Sequence, residues 1–193
     1  ILLGTAVWFG FGGFQALESL FYRDVVGVGV EWLGWMNTVF GVGLAAGAAM
    51  LPRLPQKLVT ARGLALMTAL AGLGSMLYVG STDLRFIAVG ALIWGFIIGA
   101  EEPLLRTLMH LDSPHEYVGR IVGTAQWHRS AGELLPLAFV PALAATIGIQ
   151  QTLIAGGVLV AVAAFGSMGT AASLDRSRRA NGAVLPEPVP ESA

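Results

Sequence analysis

An all-α membrane protein of six transmembrane helices is the fold class this sequence predicts, and three observations predict it. Of 193 residues, 55% are hydrophobic and 12% charged, with a mean hydropathy of +0.71; soluble domains carry roughly 25% charged residues. The apolar residues are gathered into runs of about twenty, the length that crosses a hydrocarbon layer of about 30 Å at about 1.5 Å per residue. Lys and Arg fall mainly on alternate connections between those runs. This composition excludes most soluble enzymes. A net charge of -1 with one short basic group, Arg176, Arg178 and Arg179, excludes a nucleic-acid surface. The absence of cysteine excludes a disulfide framework, a thiolate metal site and a Cys nucleophile.

The first helix is expected over residues 1–22, apolar except for Gln15, Glu18 and Ser19, and the chain opens inside it without an initiator Met, so it reads as a piece of a longer protein. Arg23 to Glu31 connect it to a second helix over 32–51. The third, over 63–82, is the clearest: Gly63 to Thr82 holds no charge at all. The fourth covers 86–109. The fifth, 119–146, contains Pro136 and Pro141, tolerated in membrane helices when neighbours absorb the kink. From Leu134 to Leu174 the chain is uncharged for twice the length one helix needs, and the polar break Gly148 to Gln151 divides it, placing the sixth helix over 151–174. The six-helix bundle thus spans 1–174. Residues 175–193, rich in Arg and then in Pro, read as a disordered tail.

Translocated loops are depleted in Lys and Arg, which sets the expected orientation. Arg53, Lys57, Arg62, Arg106, Arg120, Arg176, Arg178 and Arg179 fall on one face, Arg23 and Arg85 on the other, and Arg129 inside the fifth helix. Both termini are therefore expected in the cytoplasm.

The polar residues inside the spans are unevenly shared. The third and sixth spans have no ionisable group, whereas the first has Gln15 and Glu18, the second Asn37, the fourth Glu101 and Glu102, and the fifth Gln126, His128, Arg129 and Glu133. A charge facing lipid costs several kcal/mol, so such groups turn toward the bundle interior or a wet cavity. Helices one, two, four and five are then expected to line a polar path, with Glu18, Asn37, Glu101 and Arg129 on one interior face and helices three and six outside it. Glu102 and Arg106 are four apart and suit an intrahelical ion pair, as do Arg129 and Glu133. Arg129 is read either as locked to Glu133 or Glu101 or as a cation whose pairing changes during function. Glu101 points about 100° away from Glu102 and has no cation on its own helix. Pro103 follows it and marks a hinge or cavity wall. His128 reads as an interhelical hydrogen-bonder or a proton relay, Trp32 as an interfacial anchor and Trp94 as an interior residue. Gly43-x3-Gly47 and Gly95-x3-Gly99 suit close helix approach. His110 and His115 match no specific metal spacing. No nucleophile elbow, His-Glu-x-x-His motif or complete nucleotide loop occurs, so neither an enzyme nor a cofactor or metal site is expected.

On these residues the chain resembles the carboxy-terminal six-helix half of a major facilitator superfamily transporter, nearest the drug and siderophore exporter branch of macrolide-efflux and enterobactin-exporter type. The segments similar to that branch are Phe21 to Gly27 (FYRDVVG), Trp32 to Asn37 (WLGWMN) followed by Gly41, Gly43 and Gly47, and Ser113 to Gly123 (SPHEYVGRIVG), where Gly119, Arg120 and Gly123 match its most recurrent positions. The superfamily's cytoplasmic signature is echoed by Leu51 to Lys57 (LPRLPQK), basic at Arg53 and Lys57 but without the Asp. The resemblance implies that helices one, two, four and five line a central cavity, that Arg53, Lys57, Gly119 and Arg120 belong to a cytoplasmic gate, and that an amino-terminal half completes the fold. It implies a secondary active exporter of a bacterial inner membrane, taking an amphipathic small molecule against protons. The alternative from another class is a non-transporting membrane subunit, or a remnant half-transporter, whose buried charges only fix helix register.

Overall fold

A computed structural model describes residues 2–53, 58–112 and 118–180. Among them the chain is helical throughout, with no strand: α1 is Leu2–Leu20, α2 Glu31–Met50, α3 Ala61–Val79, α4 Leu84–Asp112, α5 Val118–Ile147 and α6 Ile149–Ala180. All but α1 are long and apolar enough to cross a membrane. Within the nineteen residues of α1, Gln15, Glu18 and several glycines dilute the apolar run.

The junctions differ from the sequence expectation for local reasons. The first helix does not stop near Tyr22 but widens into a π-helical turn over Phe21–Val26, ended by Gly27 at φ 77°, a left-handed conformation that suits glycine. The wider turn lets the adjacent Phe21 and Tyr22 both enter the core while Arg23 and Asp24 stay in solvent. The break between α5 and α6 is a single residue, Gly148 at φ 96°, so Gln150 and Gln151 already belong to α6. At its other end α6 continues to Ala180. Asp175 to Ala180 are therefore helix and not tail, and residues 181–193 lie outside the described residues.

In packing order the helices run α2, α4, α3, α6, α1, α5. The pairs α2–α4 and α3–α4 on one side of the central α3–α6 pair have α5–α1 and α6–α1 as their counterparts on the other. Exchanging the first three helices for the last three maps these pairs onto themselves, so the order of packing is the same read from either end. The two small-residue motifs meet each other in the α2–α4 contact. A Cβ on Gly47 would collide with the Phe96 carbonyl oxygen, and one on Gly99 with that of Leu44.

The centre of the bundle is aromatic. The Trp94 ring lies 4.9 Å from Phe14, 5.1 Å from Phe40, 5.5 Å from Phe11 and 5.5 Å from Tyr78, which joins α1, α2, α3 and α4. Trp94 is thus interior, as its depth in the sequence suggests. Outward, α3 exposes Leu66, Leu70, Leu73 and Leu77, and α6 exposes Val158, Val162 and Phe165. These apolar stripes fit an integral membrane protein.

Candidate functional site

The polar groups of the spans fall into separate clusters rather than one face. Glu18 of α1 accepts a hydrogen bond from the Tyr78 hydroxyl of α3, and Tyr78 is in turn 2.8 Å from the hydroxyl of Tyr22. Glu101 of α4 accepts from Thr68 Oγ1, also on α3, at 2.5 Å. Neither carboxyl forms an ion pair with a described residue. The two acids come from α1 and α4, the first helix of each half of the chain, and both find hydroxyl partners on α3.

Those partners can serve a charged or a neutral carboxyl. Thr68 has one hydroxyl proton, yet its oxygen lies 3.0 Å from the Leu64 carbonyl oxygen as well as beside Glu101. With Glu101 ionised, that proton goes to the carboxylate; with Glu101 protonated, the carboxyl O–H donates to Thr68 Oγ1 and the threonine proton goes to Leu64. One hydroxyl rotation accommodates the change. Around Glu18 the chain runs Tyr22 to Tyr78 to Glu18 when the acid is ionised and reverses when it is protonated.

A second cluster crosses from α4 to α5. Arg106 lies 3.2 Å from Glu102, Glu102 3.4 Å from Arg129, and Arg129 3.1 Å from Glu133. The Arg129 guanidinium also stands 4.0 Å above the Trp8 ring of α1. The two expected i,i+4 pairs are present. Of the two partners read for Arg129, the structure selects Glu133, adds Glu102 and leaves Glu101 apart, so the charges alternate along the chain and cancel.

Other candidates do not join either cluster. Gln15, Asn37 and Gln126 are exposed, and His128 bonds through Nδ1 to the Thr124 carbonyl of its own helix at 2.8 Å. Arg53 is exposed and bonds to the Ala49 carbonyl oxygen at 3.1 Å; Gly119 is exposed. Lys57, the Arg120 side chain, and Ser113 to Tyr117 with His115 lie outside the described residues. Of the four groups expected to share one interior face, Asn37 is exposed, Glu18 and Glu101 bond to α3, and Arg129 pairs with Glu102 and Glu133, so the four do not form one hydrogen-bonded or ion-paired cluster among the described residues. Helix three packs closely against α4 and α6 within the chain. Its apolar span is 56% buried, against 17% in α2 and 22% in α5. Only its leucine stripe faces outward; the opposite side places Thr68, Ser75 and Tyr78 in the interior.

Sequence reasoning missed two polar groups. Asp175 is buried, and its carboxylate accepts hydrogen bonds from the Ala61 and Arg62 amides at 2.8 and 3.1 Å, closing the start of α3 together with Thr60, whose side chain accepts from Gly63. The acid after a long apolar run was its only sequence signal. Trp94 Nε1 is buried without a hydrogen-bond partner among the described residues. Outside the spans, the Arg23 side chain hydrogen-bonds Asp24 and holds its carboxyl below the usual carboxylate range.

A cavity of about 600 Å³ lies at the α2 and α4 ends and is lined by Trp32, Met36, Asp83 and Arg85, with neither Glu18 nor Glu101 in its lining. A smaller groove of about 320 Å³ separates the start of α3 from the end of α6. No known protein family matches this chain, and no curated protein or solved structure is significantly similar to it. Among the described residues, fold and site together define an all-helical chain with five helices fit to cross a membrane and two carboxyls, Glu18 and Glu101, that pair with hydroxyls and with no described cation.

Proposed function

We propose that the chain is the carboxy-terminal half of a secondary active transporter of major facilitator type, exporting an amphipathic small molecule from a bacterial cell in exchange for protons. The observation that carries this reading is the pairing of Glu101 with a hydroxyl instead of a cation. A proton carrier must hold its carboxyl in both protonation states, and the Thr68 hydroxyl supports either one. Glu102 is tied to Arg106 and Arg129 and suits a structural role. Glu18 is the second candidate carrier. The packing order, unchanged when the first three helices are exchanged for the last three, supports the reading, since many transporters are built from internal repeats and rock about a midplane site. An amino-terminal six-helix half would complete the cavity lined by α1, α2, α4 and α5, with Arg53, Lys57, Gly119 and Arg120 at its gate.

The test uses the full-length protein in proteoliposomes, with a fluorescent amphipathic dye as cargo and an imposed proton gradient. Gradient-driven flux falls to background in Glu101→Gln and persists in Glu102→Gln. Flux that survives Glu101→Gln but not Glu102→Gln assigns the wrong carboxylate. An absence of gradient-driven flux in the unmodified protein favours the non-transporting subunit.

A further inference from the structure

The groove between the start of α3 and the end of α6 combines two chemistries. Arg62 and Arg176 line it, both exposed and neither in an ion pair with a described residue. Leu66, Met168 and Ala172 form its apolar wall. The carboxylate in the groove, Asp175, is already committed: it is buried, accepts from the Ala61 and Arg62 amides at the positive end of α3, and has the Arg178 guanidinium 3.9 Å away. Neither Arg62 nor Arg176 forms an ion pair with Asp175, so the groove presents two guanidinium groups beside one buried carboxylate already held by backbone amides. The cavity at the α2 and α4 ends contrasts with this, since it carries one Asp and one Arg, and Arg85 donates its amide to Asp83.

The apolar wall does not end at the groove. Leu66 is the first member of the exposed stripe Leu66, Leu70, Leu73 and Leu77, which runs the length of α3. A free phosphate would use the guanidinium pair and leave this wall unused. A molecule with an anionic head and a hydrocarbon tail uses both, with the head among the basic residues at the helix ends and the tail along the helix.

We propose that this groove binds an anionic phospholipid, its phosphate held by Arg62 and Arg176 and one acyl chain lying along Leu66, Met168 and Ala172. This does not depend on the transport reading, because it concerns the opposite side of α3 from Thr68 and Tyr78.

The test is native mass spectrometry of the full-length protein in detergent, offered dioleoylphosphatidylglycerol or dioleoylphosphatidylcholine, which share their acyl chains. Each basic residue near an anionic head contributes about fivefold, so a preference for the glycerol lipid of about 25-fold is expected at low salt, weakening as salt is added. Arg62→Gln with Arg176→Gln abolishes the preference, Arg62→Lys with Arg176→Lys keeps most of it, and Arg53→Gln, outside the groove, leaves it unchanged. Arg176→Gln alone lowers it about fivefold, and this side chain makes no described hydrogen bond or ion pair, so the result stands even where the double variant misfolds. A preference that survives Arg176→Gln, or that Arg53→Gln lowers equally, overturns the proposal. Displacement of the lipid by millimolar inorganic phosphate overturns it as well, in favour of a site for soluble phosphate.

Discussion

Tyr78 shows how much a single hydroxyl can organise. It donates to Glu18 of α1 and meets Tyr22 at 2.8 Å, and its ring packs 5.5 Å from Trp94. Tyr78→Phe keeps the ring and deletes the hydroxyl, which leaves the Glu18 carboxyl and the buried Tyr22 hydroxyl without their partner. Removing one member of such a pair costs about 1–3 kcal/mol through the group left unsatisfied. The expected result is a loss of that size in the unfolding free energy measured in mixed micelles. Tyr22→Phe, which leaves the Tyr78 to Glu18 bond standing, costs less. If the two variants are equally stable, the chain of hydroxyls does not hold Glu18 in place.

Among the elements, α6 governs α3 from both ends. The pair is antiparallel: Asp175 near the end of α6 caps the first amides of α3, while Gln150 near its start donates to the Val79 carbonyl oxygen at 2.8 Å. Each contact satisfies a backbone group that a helix terminus leaves unpaired, a need sharpened where water is scarce. Asp175→Ala uncaps α3 at a cost of about 1–2 kcal/mol. Hydrogen exchange at the Ala61 and Arg62 amides is expected to quicken, with little change at Leu73. Equal protection in the variant would mean that Thr60 alone suffices to cap the helix.

For the whole molecule the uneven burial of the helices is the main feature. The central α3 is more than half buried, whereas α2 and α5, at the two ends of the packing order, are mostly exposed. Two kinds of exposed surface follow. The stripes of α3 and α6, Leu66 to Leu77 and Val158 to Phe165, are apolar, but α1, α2 and α5 also expose Gln15, Asn37 and Gln126. The chain has no cysteine, so single cysteines can report on each surface. Spin labels at Leu70 and Val162 are expected to be quenched by a lipid-soluble relaxant. Labels at Asn37 and Gln126 in the full-length protein are expected to respond to a water-soluble one. Equal lipid exposure at all four positions would remove the case for a wet path beside α2 and α5.

The helices themselves were legible in the sequence, because a membrane helix satisfies its backbone within its own span and so declares itself by an uninterrupted apolar run. The pairs Glu102–Arg106 and Arg129–Glu133 were legible for a similar reason, each lying within one turn of one helix. The Gly43-x3-Gly47 and Gly95-x3-Gly99 motifs announced a close approach, though not that they approach each other. The partners of Glu18, Glu101 and Asp175 were not legible. They lie 60, 33 and 114 residues away, on or at the start of α3, one of the two spans that looked featureless because a Thr, a Ser and a Tyr carry no charge to notice. Local composition determined which segments cross the bundle. Which hydroxyl meets which carboxyl was decided only when α3 packed between α4 and α6, since that choice depends on helix rotation and contact across the bundle and leaves no periodic mark along the chain.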